Sequence, residues 1–148
     1  MNYVFFLMKA IHLVGAVLWV GGMFFVYVAL RPSMAALEPA QRMVLHTQVT
    51  RRFFRVVWHA MPLILLTGLT MVFGFLGGLQ HQPPAIHAMF GLGILMSLVY
   101  LYIFFGPYKR FRLTTDRATM LEALDSIRKL VGVNLILGLI TIVVAVIK

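Results

Sequence analysis

The sequence contains no cysteine among its 148 residues. That excludes a disulfide framework and any thiolate metal site, and it leaves the redox compartment unread. Charge is scarce as well. Charged residues make up 11% of the chain, against roughly 25% in a soluble domain. Acidic residues are the scarcest, with 4 Asp and Glu against 13 Lys and Arg. None of the four falls inside a long apolar run. There is no internal repeat and no low-complexity tract.

What is present is mostly apolar. Hydrophobic residues make up 61% of the chain, and the mean hydropathy is +0.95. Four segments, about residues 3–30, 53–76, 84–105 and 130–147, are long enough to cross a bilayer, which requires roughly 20 apolar residues. The expected fold is all-α: one domain over residues 1–148, a polytopic membrane protein built as a four-transmembrane-helix up-down bundle. The first run is too long for the core of a cleaved signal. Lys9 interrupts it and Arg31-Pro32 follows it, so it reads as a retained helix.

The net charge of +9 would suit nucleic acid, but its placement points to a lipid bilayer instead. Arg31, Arg42, Arg51, Arg52 and Arg55 belong to the first loop or its edges. Lys109, Arg110, Arg112, Arg117, Arg128 and Lys129 belong to the third, and residues 74–83 carry no Lys or Arg. Positive loops stay inside, which puts both termini on the outer face. Arg51, Arg52 and Arg55 are expected to anchor the second span at anionic lipid. The two positive loops also hold short amphipathic helical segments. Pro39 suits a first helical turn, and Met43, Val44 and Val49 recur near helical spacing. Asp116 can cap a stretch striped with Met120, Leu121, Leu124 and Ile127. These segments read as interfacial helices or as cytoplasmic extensions of the second and fourth spans. Pro62 should kink the second span, and Pro83-Pro84 should start the third.

Three histidines, His12, His59 and His87, fall inside spans. An ionisable residue there is a functional hypothesis by default, the alternative being a neutral imidazole bonded to a neighbouring helix. Counted along the helices, His12 and His87 share the outer half and His59 lies in the inner half. In an up-down bundle the first and third helices stand diagonally across the core. Two histidines at one level then suit a flat cofactor. Haem needs only axial ligands, whereas zinc needs three or four protein ligands, so the pair favours haem b. His12, Gly15, Trp19 and Gly22 form one stripe, and His87 and Gly91 another. Glycine there makes room for a macrocycle edge, or else lets helices pack closely. Lys9 can meet a haem propionate or snorkel to the interface. Copper is the other metal to weigh, since imidazole and thioether both bind it. His81, His87 and Met89 lie near the outer mouth, with Met8 on the first helix. Asn134, Gly138 and Thr141 make a stripe suited to interhelical contact.

The stretches Lys9-Ala-Ile-His12 and Trp19-Val-Gly-Gly22-Met-Phe resemble the first helix of the CopD-like (copper-resistance D domain) membrane proteins of bacteria. Arg51-Arg-Phe-Phe54 and Thr67-Gly68 are similar to the second helix of that family. The resemblance implies a multi-pass protein of the bacterial inner membrane, with periplasmic termini, associated with copper uptake or resistance. The HemJ-type protoporphyrinogen oxidases are also similar, through Lys9, His12 and Trp19. Their third helix opens His-x-Lys, where this chain has His87-Ala88-Met89. A methionine supplies neither the charge nor the proton of that lysine.

The leading expectation is therefore haem b held by His12 and His87, passing electrons between a membrane quinol and an outer-face redox partner. Trp19, Gly15, Gly22 and Gly91 would shape its pocket. The alternatives are a copper transport or resistance component and a protoporphyrinogen IX oxidase. Whether the protein is an enzyme, whether it forms a homo-oligomer, and what His46 and His59 do are left open by the sequence.

Overall fold

A computed structural model describes residues 2–147, and every regular element among them is helical. Four helices are long and apolar enough to cross a membrane. The chain divides into two compact units, Met1–Gln82 and Pro83–Lys148.

The first unit is a helical hairpin. Its first helix, α1, runs over Tyr3–Ala36 and its second, α2, over Pro39–Phe75. Asn2 caps α1, its side chain accepting from the Phe5 N–H at 3.4 Å. The winding of α1 is not uniform. It widens to π-helical turns at Val17–Gly21 and Phe25–Leu30 and tightens to a 3₁₀ turn at Met34–Ala36. Such π segments occur often at functional sites. At α2 a capping box joins Glu38 and Gln41, with Pro39 at the first position, which satisfies orphan N–H groups at that end. α2 then stays α-helical through Pro62 to Leu69 and closes with π turns at Thr70–Phe75.

At 37 residues, α2 is about 55 Å long, against a hydrocarbon core of about 30 Å. The segment carrying Met43, Val44 and Val49 is thus no separate interfacial helix. It is the first part of α2, and no glycine or proline between Pro39 and Pro62 interrupts it. The hairpin turn is closed by Arg42. Its Nε donates to the Met34 carbonyl at 3.1 Å, and one Nη donates to Ala35 and Leu37 at 3.2 and 3.1 Å. After α2 the chain turns through Gly77 and Gly78, with φ of +78° and +93°, a region that favours glycine.

The second unit contains α3 (Pro84–Phe105), α4 (Pro107–Leu113) and α5 (Arg117–Val146). The sequence reading did not foresee α4, which carries Lys109, Arg110 and Arg112 on a helix that buries Pro107, Tyr108 and Phe111. Asp116 caps α5, accepting from the Thr119 N–H at 2.8 Å and its hydroxyl at 2.7 Å. The Met120–Ile127 stripe is continuous with the fourth span, again an extension and not a separate helix. Between α3 and α5 the core comprises Met96, Tyr100 and Ile103 with Ala123, Ile127 and Leu135. Thr141 donates to its own helix at Leu137, 2.8 Å away, and reaches the Met96 sulfur on α3 at 3.9 Å. That contact is an interhelical one for Thr141, one member of the stripe. Asn134 on the same stripe is buried, and its Oδ1 has no hydrogen-bond partner among the described residues.

Large apolar side chains elsewhere are exposed, Phe25, Leu66 and Ile136 among them. On spanning helices these are surfaces for lipid, which is as apolar as they are.

Candidate metal centre on the first helix pair

The stripe on α1 faces α2. A Cβ added at Gly22 would meet the Phe53 ring at 2.8 Å, and one at Gly15 would meet Ile64 Cγ1 at 2.7 Å. At the end of the pair away from the Arg42 turn, Phe5 and Phe75 meet edge to face, with ring centroids 5.7 Å apart. Of the two readings of Gly15 and Gly22, close helix approach is the one their surroundings display. The room beside each goes to a side chain of α2.

His12 lies on this stripe, half-buried. Its Nδ1 is 2.9 Å from the Ile64 carbonyl oxygen and 3.2 Å from Thr67 Oγ1. A carbonyl only accepts, so Nδ1 carries the proton and donates. The Thr67 hydroxyl spends its own proton on the Leu63 carbonyl at 2.6 Å, which leaves its oxygen free to accept from His12. Nε2 then keeps its lone pair. Gly68 lies against the ring, and a Cβ there would come within 3.2 Å of His12 Cε1. The ring is thus fixed by α2, with one nitrogen committed and the other available as a ligand.

The other described histidines in hydrogen bonds are anchored locally. His59 Nδ1 lies 2.8 Å from the Arg55 carbonyl, His81 Nδ1 3.0 Å from that of Gly77, and His87 Nδ1 3.2 Å from that of Pro83. All three side chains are exposed. Among the described histidines, His12 is the one bonded to a different helix. Trp19 is buried, Lys9 is exposed, and Met8 is half-buried on α1. Met89 is half-buried and Gly91 exposed on α3, where a Cβ at Gly91 would meet nothing within 4 Å. Met8, His12 and His81 belong to the first unit, and His87, Met89 and Gly91 to the second.

Among the described residues no three His, Cys, Asp or Glu side chains gather as a metal cage. Thr67 is the functional neighbour that residue-by-residue reading missed. It stood out as part of Thr67-Gly68, but a hydroxyl on one helix gives no sign of which side chain faces it.

The family model described as Copper resistance protein D matches residues 47–148. The match takes in most of α2 and the whole second unit. It leaves out the Lys9–Phe24 stretch that carries the sequence resemblance of the first helix. No curated protein and no solved structure matches the chain.

Proposed function

The chain belongs to the Copper resistance protein D family, and from that premise we propose that it handles copper within the membrane, with His12 as an intramembrane ligand. The observation that carries this reading is the 2.9 Å bond from His12 Nδ1 to the Ile64 carbonyl. Metal-binding imidazoles almost always donate their second N–H to such an oxygen, which fixes the tautomer and the ring. Imidazole and thioether are donors that copper accepts. Copper is the cargo in this reading, held and released at a site reached from the outer face of a bacterial inner membrane.

The test is cellular copper. A strain lacking the protein is complemented with the wild type or with His12→Ala, and copper accumulation and growth under copper stress are measured. The wild type should restore the parental response and His12→Ala should not. Accumulation that is the same with and without the protein would end this reading.

A second reading is haem b, for which the sequence offers His12 and His87 as ligands. His87 supports it, because its Nδ1 also rests on a carbonyl and leaves Nε2 available. Gly15 and Gly22 lend it no support, since Ile64 and Phe53 take the space a macrocycle edge would need there. Bound haem would supply one-electron chemistry, with imidazole ligation setting its potential. A reduced-minus-oxidised spectrum of the protein, purified after expression with adequate haem, decides it. Without a b-type band the haem reading falls.

A further inference from the structure

We infer that Met8 and Met71 complete the His12 site, making a three-donor copper(I) centre within the first helix pair. This rests on the proposed role of His12 and names the oxidation state and ligands of that site.

The argument is one of register. Facing contacts between α1 and α2 succeed one another along the hairpin: Gly22 with Phe53, Gly15 with Ile64, His12 with Ile64 and Thr67, and Phe5 with Phe75. On α1 the facing positions are thus 5, 12, 15 and 22. The heptad spacing of three and four fills the gap between Phe5 and His12 with Met8. On α2 the same spacing fills the gap between Thr67 and Phe75 with Met71. Met8 is four residues from His12, and Met71 is four from both Thr67 and Phe75. The two methionines therefore occupy one layer, bounded by the His12–Thr67 contact on the inner side and the Phe5–Phe75 ring contact on the outer side. Both are half-buried, as is His12.

The chemistry of that layer selects the metal. Thioethers are soft donors that favour copper(I), while hard divalent ions want carboxylate or carbonyl oxygen. No Asp or Glu lies in either span, so every donor in the layer is neutral. A neutral donor set in an apolar region holds a singly charged ion at far lower desolvation cost than a doubly charged one. The Phe5–Phe75 contact closes the layer on its outer side, where aromatic edges and a small ring movement would govern entry.

The test is anaerobic titration of the full-length protein in detergent with copper(I) alone, against a chromogenic copper(I) chelator, together with X-ray absorption at the copper edge. The wild type should take up one copper(I) per chain with sulfur and nitrogen in its first shell. Met8→Leu and Met71→Leu should each weaken binding at least tenfold, and Met43→Leu, far along α2, should not. Leucine is close to methionine in volume, and circular dichroism melts check that the variants fold. If the wild type binds copper(I) through His12 but the absorption edge shows no sulfur, or both leucine variants bind as tightly as the wild type, this inference is wrong and the role of His12 stands. If the wild type takes up no copper(I), the proposed function itself fails.

Discussion

At Gly68 one added methyl group would press on the His12 ring, the group proposed to bind copper. A Cβ there would stand 3.2 Å from His12 Cε1 and 3.5 Å from Nδ1, tighter than ring carbon tolerates without moving. Alanine is the better helix former by about 1 kcal/mol, so α2 itself gains. Gly68→Ala should keep its melting temperature within a few degrees while its copper(I) affinity drops about tenfold. A chelator titration run beside a thermal melt reads both, and full affinity in the variant would mean that the ring has slack. His12 was conspicuous in the sequence because an ionisable group in a span is costly and rare. Thr67 was not, because threonine is ordinary in such helices. Only the facing register, set by glycine and phenylalanine contacts, makes neighbours of residues more than fifty positions apart.

At the scale of the element, two ends of helices carry the strongest local statements. Arg42 binds three carbonyls where α1 gives way to α2, the orphan acceptors that a helix C-terminus leaves. Arg42→Ala should destabilise the hairpin by about 2 kcal/mol, in line with hydrogen bonds to a charged group. Arg42→Lys should recover less than half of that, because an ammonium cannot reproduce the guanidinium fork. Chemical denaturation in mixed micelles measures both. At the other loop, the Thr119 hydroxyl and N–H hold the Asp116 carboxyl below its ordinary value of 3.8. A depressed carboxyl contributes stability that is present above the unfolded pKa and lost as pH falls through the folded one. Amide exchange in the first turn of α5 should therefore quicken below about pH 4, and Asp116→Ala should show that fast exchange at neutral pH as well. Exchange unaffected by either change would exclude a capping role. The sequence announced both helix starts through Glu38-Pro39 and Asp116. It left open whether they began separate helices or long ones, since helix signals mark beginnings more clearly than continuity. The short α4 escaped notice because its basic residues read as a loop charge cluster.

For the whole molecule, the decisive facts are hydropathy and the sorting of charge. Four apolar helices and the family match make this a multi-pass membrane protein. Loop charge predicts the orientation, and the lack of native cysteine makes that prediction simple to check. Gln80→Cys, between the second and third spans, should react with an impermeant maleimide added to intact cells. Ala118→Cys should react only after the membrane is opened, and the reverse pattern would invert the topology. The sequence by itself determined the membrane class, the four spans and their charge asymmetry. Each of these follows from transferring side chains between water and lipid, a property summed residue by residue. Tertiary structure decided which atoms His12 meets and which glycines serve helix packing. Those depend on the rotation and offset of one helix against another, set by contacts across the hairpin that no local pattern encodes.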